Sequence, residues 1–205
     1  MIKNFIFDFG KVMVQFEPEY MVKKYVSAPD DARLLGDVVF DRLYWDKLDA
    51  GTISDKEVVE QCKTRLPKRL WDAVDTVYYN WIYNLPEIEG MSALIKRIKM
   101  TYNAPVYLLS NISVYFAEHK DEIPCLKLFD RCFFSATCGK IKPDADIFKY
   151  VCDECRILPC ETLFIDDSEK NIAGAKSAGL HTYLFDCNAD NLGAYIDSIM
   201  NGGEI

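Results

Sequence analysis

The sequence predicts an α/β protein with a doubly wound, mostly parallel sheet and a helical domain inserted after the first strand. Short apolar runs, each ending in a polar cluster, alternate along the chain with amphipathic segments, as strands and helices do in βαβ units. Residues 16–85 break this alternation, because they carry only helical patterns. We therefore expect a core domain of residues 1–15 and 86–205 and a helical insertion of residues 16–85.

The predicted strands are runs of almost continuous apolar residues, the pattern typical of strands buried on both faces. They are residues 5–7, 106–109, 132–134, 163–165 and 182–185. Amphipathic helices are predicted between them at residues 91–99, 143–155 and 169–178. Ser168 is placed to act as the N-cap of the last of these helices and Gly179 to end it.

The insertion contains four helical patterns, at residues 19–26, 30–40, 54–65 and 68–83. Ser54 and Glu57 have the spacing of a capping box, which marks the start of the third. The segment is rich in aromatic residues, most of which we expect to form its own core: Tyr44, Trp45, Trp71, Tyr78, Tyr79, Trp81 and Tyr83.

Composition excludes several classes of protein. Half of the 205 residues are hydrophobic, which is too many for a disordered chain. A net charge of -8 argues against nucleic-acid binding and against attachment to an acidic membrane surface. No export signal or membrane span is apparent, so we expect a cytoplasmic protein, and no protein partner is implied. The eight cysteines lack a zinc-ligand pattern and are predicted to be free thiols.

Polar residues close the predicted strands, at the sheet edge where open α/β proteins bind ligands. Lys142 follows the third strand, and the other strand-end residues are Asp8, Ser110, Asn111, Asp166 and Asp167. Each of them alone could be a helix cap, a turn residue or a solvated charge. Their ordered recurrence at successive strand ends favours a single binding site instead.

Three carboxylates in such a site would resist joint ionisation unless positive charge offset them. Mg²⁺ prefers oxygen ligands and often bridges to a substrate phosphate. One Mg²⁺ ion and the lysine would together neutralise the three aspartates. The pattern therefore indicates metal-assisted handling of a small anion.

The chain resembles the haloacid dehalogenase-like (HAD) hydrolase superfamily in all four of its motifs. These are residues 5–12 (FIFDFGKV), residues 108–111 (LLSN), Lys142 with Pro143, and residues 164–171 (FIDDSEKN). Residues 172–179 (IAGAKSAG) match the following helix, and the insertion lies where the family has its C1 cap. Within the superfamily the chain is most similar to small sugar-phosphate phosphatases, a branch typified by the bacterial α-glucose-1-phosphate phosphatase. The N-terminal phosphatase domain of epoxide hydrolases is related to this branch.

The resemblance implies a Rossmannoid core, a phosphorylated small-molecule substrate and Mg²⁺ as the cofactor. Asp8 would be the nucleophile that forms an aspartyl-phosphate. Asp8, the backbone carbonyl of Gly10 and Asp167, with Asp166 close by, would hold the metal ion.

The remaining motif residues would bind the transferring group. Ser110 and the backbone N–H of Asn111 would contact the phosphoryl oxygens. Lys142 would neutralise both the nucleophile and the phosphoryl group, so catalysis would rest on positioning and electrostatics.

One position departs from the family. Most HAD phosphatases have an aspartate two residues after the nucleophile as general acid and base, and Gly10 stands there in this chain. The leading hypothesis is an already acidic leaving group, such as the anomeric oxygen of a sugar 1-phosphate, which would need less protonation. Alternatively another residue supplies the proton, with Lys11, Gln15 and Glu17 nearby in sequence, or the protein binds phosphorylated ligands with little or no turnover.

The cap segment of residues 42–51 carries cations and aromatics where family caps often determine specificity. An equal alternative is that Trp45 and Leu48 are core residues and that Arg42 and Lys47 are solvated. A metal-independent dehalogenase is the rival enzyme, but its chemistry has no use for the paired carboxylates Asp166 and Asp167.

Overall fold

The computed structural model describes residues 1–204, and a five-stranded parallel sheet forms its centre. The strands run in the order β3-β2-β1-β4-β5. Their bounds are β1 Asn4–Phe7, β2 Val106–Ser110, β3 Arg131–Phe134, β4 Thr162–Asp166 and β5 His181–Leu184. All five predicted strands are present, and the predicted α/β fold with a parallel sheet is confirmed.

Helices cover both faces of the sheet and form the insertion. The described residues contain eleven α-helices. Five lie in the insertion: α1 Pro18–Lys23, α2 Pro29–Val39, α3 Trp45–Asp49, α4 Asp55–Thr64 and α5 Trp71–Asn80. Six follow it: α6 Met91–Tyr102, α7 Val114–Glu118, α8 Ser135–Cys138, α9 Ala145–Cys155, α10 Glu169–Ser177 and α11 Ala189–Met200.

The central strands are buried because each carries apolar side chains on both faces. In β1, Phe5 and Phe7 point to the cluster that includes α6 and α11, and Ile6 points to the cluster that includes α9 and α10. Burying each phenylalanine side chain contributes about 1.5–3 kcal/mol. The edge strand β5 differs from the expectation of two buried faces, since its residues are half-buried or exposed. It has only one neighbouring strand, so part of its surface stays open to solvent.

The insertion has a hydrophobic core of its own. Side chains from α1, α2, α4 and α5 pack together in one cluster, separate from the two clusters that flank the sheet. The chain leaves and re-enters the core at adjacent positions, where Gln15 N–H donates to the Pro86 carbonyl and Ile88 N–H donates to the Met13 carbonyl, each at 2.8–2.9 Å. Two adjacent segments of the chain therefore connect the helical insertion to the core.

Several helix boundaries differ from those that the sequence predicts. Proline occupies the first helical position of α1 and α2, so each begins one residue earlier than expected. The segment 68–83 forms not one helix but α5 between two 3₁₀ turns. Helix α3 was not predicted, because five residues are too few to show a helical period. The Pro143 start is also wrong, since α9 begins at Ala145.

The two predicted N-terminal helix caps have different outcomes. The capping box is confirmed, because Ser54 Oγ accepts from Glu57 N–H at 3.2 Å and Glu57 Oε2 accepts from Ser54 N–H at 2.9 Å. Ser168 does precede α10, but its side chain makes no capping hydrogen bond. Its backbone N–H instead donates to Asp166 Oδ1 at 2.8 Å. The start of α10 is thus tied to the end of β4.

The prediction of free thiols is confirmed, and the described helices include none that could cross a membrane. All eight cysteines are free, with Cys62, Cys125 and Cys152 buried. Within residues 1–204, every helix is too short or too polar to traverse a lipid bilayer.

Candidate active site

The carboxyl ends of three adjacent strands bring the predicted site residues together. Asp8 directly follows β1, Ser110 ends β2 and Asp166 ends β4. The backbone N–H of Asp8 donates to the Ile165 carbonyl at 2.9 Å, which holds Asp8 beside the end of β4. A cavity of ≈1140 Å³ opens there between the sheet and the insertion. The predicted site residues that line it are Asp8, Gly10, Ser110, Asn111, Lys142 and Asp167.

Lys142 bridges two of the carboxylates. Its Nζ lies 2.8 Å from Asp8 Oδ1 and 2.7 Å from Asp166 Oδ2. Lys142 and Asp166 are almost fully buried, and the ammonium group also lies 5.4 Å from the centre of the Phe164 ring. A buried charge is tolerated only where it is paired and hydrogen-bonded, and here one cation holds two anions.

Asp166 forms an ion pair with Lys142 and does not line the cavity. Besides Lys142, it accepts hydrogen bonds from Ser168 N–H at 2.8 Å and from Asn171 Nδ2, which lies 3.0 Å from each carboxylate oxygen. Both oxygens are therefore occupied, and the residue does not line the cavity. Asp167, the next residue along, is half-buried and lines it.

Asn111 positions Lys142 through the backbone. Its Oδ1 accepts from Lys142 N–H at 2.9 Å and its Nδ2 donates to the Lys142 carbonyl at 2.8 Å. These two bonds tie the loop before α9 to the end of β2. The family resemblance implies only a backbone contact of Asn111 to phosphate, and this use of its side chain is not predictable from the sequence.

Burial and neighbouring charges together shift the pKa values of Asp8, Lys142 and Asp167. Burial raises the pKa of Asp8 to about 7, an effect that Lys142 opposes and Asp166 increases. For Lys142, burial lowers the pKa, but the charges of Asp8 and Asp166 outweigh it and the pKa is raised overall. Burial and the neighbouring Asp166 also raise the pKa of Asp167. The site thus holds more negative charge than one lysine compensates.

The donor set fits a hard divalent cation. One oxygen each from Asp8, Asp166 and Asp167 lie within 4.8 Å of one another. Because hydrogen bonds already occupy Asp166, the oxygens best able to contact an ion belong to Asp8 and Asp167, and Gly10 lines the same cavity. Oxygen ligands of this kind suit Mg²⁺.

The three sequence neighbours considered as proton donors are not equivalent. Lys11 lines the cavity, whereas Gln15 and Glu17 are exposed and lie outside its wall. At Gly10 an added Cβ would meet no atom within 4 Å. Crowding therefore does not require glycine at this position.

Aromatic side chains form the opposite wall. Phe16 contacts Phe40, Trp45 and Trp81 edge to face, with ring centres 5.4–6.0 Å apart, and all four residues line the cavity. The guanidinium of Arg42 lies 5.5 Å from the centre of the Trp45 ring.

The segment 42–51 therefore combines both interpretations that the sequence left open. Arg42, Trp45 and Leu48 line the cavity, and Leu48 is also buried in the core of the insertion. Lys47 is exposed and lies outside the cavity wall.

Asp49 and Asp55 are two further acidic residues of the cavity wall that sequence reasoning missed. Asp49 is only 4% exposed. Burial raises its pKa to about 7; Arg42 opposes the shift, Asp46 adds to it, and Lys142 and Asp8 make smaller opposite contributions. The one sequence signal for Asp49 is its i+4 spacing from Trp45, which places the two residues on the same face of a helix.

Asp55 connects the insertion to the core. Its carboxylate accepts from Tyr78 Oη at 3.0 Å and from the backbone N–H of Tyr115 at 3.2 Å. Because Tyr115 belongs to α7 of the core and Tyr78 to α5 of the insertion, this carboxylate is shared between the two parts of the chain.

A model of the haloacid dehalogenase-like hydrolase family matches residues 2–179. The D-ribitol-5-phosphate phosphatase of Bacteroides thetaiotaomicron is 26% identical over 93% of the chain and 95% of its own length. The sesquiterpene phosphatase astK of Aspergillus oryzae is 26% identical over 87% of each protein.

Among solved structures, a HAD family enzyme of Bacteroides thetaiotaomicron, in complex with magnesium and inorganic phosphate, aligns with a TM-score of 0.69. It is 22% identical and covers 92% of this chain and 96% of its own. The L-2-haloacid dehalogenase of Xanthobacter autotrophicus aligns with a TM-score of 0.68 at 14% identity, over 98% of this chain and 84% of its own. At these identities the two structures show a shared fold.

Proposed function

The chain belongs to the haloacid dehalogenase-like hydrolase family, and from this premise we propose that it is a Mg²⁺-dependent phosphatase. Its substrate is a small phosphorylated metabolite, and its reaction passes through an aspartyl-phosphate on Asp8. The observation that carries this proposal is the buried lysine between two carboxylates at the cavity, with a third carboxylate lining that cavity.

The charges explain how such a site would work. Asp8, Asp167 and the Gly10 carbonyl would hold Mg²⁺, which supplies positive charge to the phosphoryl oxygens when bound. The same charge would keep the Asp8 carboxylate ionised against the effect of burial, which raises its pKa. Lys142 donates to Asp8 and stays within reach of the transferring group.

The proposed reaction has two steps. A carboxylate oxygen of Asp8 forms a bond to phosphorus as the bond from phosphorus to the substrate oxygen breaks, and that oxygen takes up a proton. Water then attacks phosphorus, its proton is accepted by a base, and the bond to Asp8 breaks to release inorganic phosphate. Ser110 and the backbone N–H of Asn111 would hold the phosphoryl oxygens throughout.

The acidic cluster favours phosphate over halide chemistry. Attack of an aspartate on carbon requires no metal and leaves no role for a carboxylate facing the cavity beside the nucleophile. Here Asp8, Asp166 and Asp167 offer oxygens within 4.8 Å of one another. A cluster of this charge supports binding of a cation together with an anion.

We propose that residues 16–85 act as a cap that closes over the bound substrate and selects it. The aromatic wall suits the carbon face of a polyol or sugar, and Arg42 and Lys11 suit its phosphate. A D-ribitol-5-phosphate phosphatase among the relatives supports a sugar or polyol phosphate as substrate. The same aromatic wall makes a more apolar monoester the second candidate.

A substrate panel with and without Mg²⁺ tests the proposal. It should contain p-nitrophenyl phosphate, ribitol 5-phosphate, a sugar 1-phosphate and a prenyl monophosphate, with a 2-haloacid for the rival reaction. We expect turnover of at least one phosphate, loss of turnover on chelation, and loss in Asp8→Asn. No phosphate turnover would favour a binding protein, and Mg²⁺-independent halide release would favour a dehalogenase.

A further inference from the structure

A phosphatase with glycine at position 10 lacks the usual group that protonates the leaving oxygen. We propose that Asp49, at the end of α3 in the insertion, is this proton donor and later the base that accepts a proton from water. The inference rests on the proposed phosphatase function. It concerns a residue that the insertion, and not the core domain, contributes to the cavity.

Asp49 is suitably located for this role. It lines the same cavity as Asp8 and Lys142, and it is 4% exposed. Leaving-group oxygens of substrates bound between sheet and insertion would point away from Asp8, because the nucleophile attacks in line with the breaking bond. Asp49 belongs to the insertion, which together with the sheet edge encloses the cavity into which such an oxygen would point.

The end of α3 is held firmly against the core. Gly51 has φ +69°, and a Cβ at this position would lie 2.8 Å from the carbonyl oxygen of Ala136. Ala136 N–H donates to the Ile112 carbonyl at 3.4 Å, and Ile112 N–H donates to Ser135 Oγ at 3.0 Å. Because Ile112 follows the phosphate-binding segment, this contact sets the position of Asp49 relative to that segment.

The other carboxylates of the cavity wall are less suitable. Asp46 and Glu169 are exposed, so water would compete for their protons. Asp55 is engaged by Tyr78 and Tyr115. Asp8 and Asp167 belong to the nucleophile and metal side of the site. Asp49 is the remaining carboxylate among the described residues of the wall.

The surroundings of Asp49 support proton transfer near neutral pH. Burial raises its pKa to about 7, and the charged groups that act on it are Arg42, Asp46, Lys142 and Asp8. A general acid works best when its pKa lies near the working pH, because both protonation states are then populated. The adjacent Arg42 would stabilise the carboxylate left after donation.

Each turnover restores Asp49. As the bond from phosphorus to the leaving oxygen breaks, the carboxyl proton moves to that oxygen and the free alcohol departs. In the second step the Asp49 carboxylate takes a proton from the attacking water. The bond from Asp8 to phosphorus then breaks, giving inorganic phosphate, an ionised Asp8 and a protonated Asp49.

The test compares leaving groups in Asp49→Asn. An alkyl phosphate such as ribitol 5-phosphate needs its leaving oxygen protonated, whereas p-nitrophenolate leaves without a proton. We expect kcat for the alkyl phosphate to fall by roughly 10²–10⁴-fold and first-step turnover of p-nitrophenyl phosphate, read as the burst of p-nitrophenol, to change far less. Asp37→Asn, an exposed acid-to-amide change on α2, is the matched control and should leave both substrates unaffected.

A second variant covers the case in which Asp49→Asn loses activity because it misfolds. The open space at position 10 accepts a side chain, so Gly10→Asp combined with Asp49→Asn should recover alkyl phosphate turnover. Equal loss on both substrates without recovery, or no loss at all, would overturn the role of Asp49. Absence of phosphate turnover in the wild-type protein would overturn the proposed function itself, and with it this inference.

Discussion

Two asparagines organise the charged centre without adding charge to it. Asn111 holds both backbone groups of Lys142, and Asn171 contacts both oxygens of Asp166. The lysine is thus fixed at its backbone by one amide, and its carboxylate partner is fixed by another. Such support matters because a shift of an ångström at a reacting group can cost about 10²-fold in rate.

Lys142→Met should remove activity and destabilise the fold. The change leaves Asp8 and Asp166 buried without their shared cation, and breaking a buried pair costs about 3–5 kcal/mol. The loss should grow with pH, because the pKa of Asp8 rises further without the lysine and the folded state then holds its proton more strongly. Urea unfolding at pH 5.5 and 8 without metal measures this. Equal losses at both pH values would contradict the electrostatic explanation.

Asp49→Asn should make the folded protein less sensitive to high pH. A carboxyl whose pKa is about 7 when folded and near 3.8 when unfolded binds more protons in the folded state, so stability falls as pH rises between these values. The variant removes this penalty. We expect its free energy of unfolding, relative to the wild type, to increase between pH 5 and pH 8 by on the order of 1–4 kcal/mol. A difference independent of pH would show that Asp49 is not a perturbed acid.

At the scale of elements, α10 and the loop before α9 pack unusually closely. A Cβ at Gly174 in the middle of α10 would lie 2.0 Å from the carbonyl oxygen of Pro143. The helix therefore approaches the residue after Lys142 as closely as backbone allows. Ser168 and Asn171 at the start of the same helix both bond to Asp166, so α10 contacts the charged centre at two places, Asp166 and the residue after Lys142.

Gly174→Ala should destabilise the protein, although glycine to alanine usually favours a helix by about 1 kcal/mol. Overpacking of this kind costs about 1–3 kcal/mol, and the displaced loop should also lower kcat. Gly36→Ala in α2 is the matched control, because its nearest neighbour would be 3.8 Å away. The control should be neutral or stabilising in thermal unfolding. Similar behaviour of the two variants would contradict the close approach.

Element boundaries show what the sequence could not predict. The strand positions could be predicted, because β1, β2 and β4 are buried on both faces and therefore consist of almost continuous apolar runs. Helix α3 could not be predicted because it is too short to show a period. Ser168 stands at the predicted N-cap position of α10, but its side chain makes no capping hydrogen bond, and its backbone contact to Asp166 depends on the tertiary arrangement.

At the scale of the whole molecule, Mg²⁺ should stabilise the folded state. An ion held by Asp8 and Asp167 binds only when the sheet edge is assembled, and a ligand at 100 times its Kd adds about 2.7 kcal/mol. We expect a higher Tm with Mg²⁺ than with chelator, and a larger shift at pH 8 than at pH 6, because protons compete for the carboxylates. Asp167→Asn should reduce the shift, whereas Asp37→Asn should not. Equal shifts in both variants would point to binding elsewhere.

The motif residues of the site were predictable and the opposite wall was not. Asp8, Ser110 and Asp166 follow apolar strands, and parallel strands bring their carboxyl ends to one edge. Asp49 reaches the cavity only because the insertion folds back onto Ala136 through Gly51. That contact joins residues that are distant in the chain, so no local sequence pattern predicts it.

The aromatic wall has a practical consequence. The chain has three tryptophans, Trp45, Trp71 and Trp81, and all of them lie in the inserted helices, two of them on the cavity surface. Intrinsic tryptophan fluorescence excited at its red edge would thus originate from this part of the molecule alone. Opening and closing around a bound substrate could be followed by stopped-flow emission in the unlabelled protein.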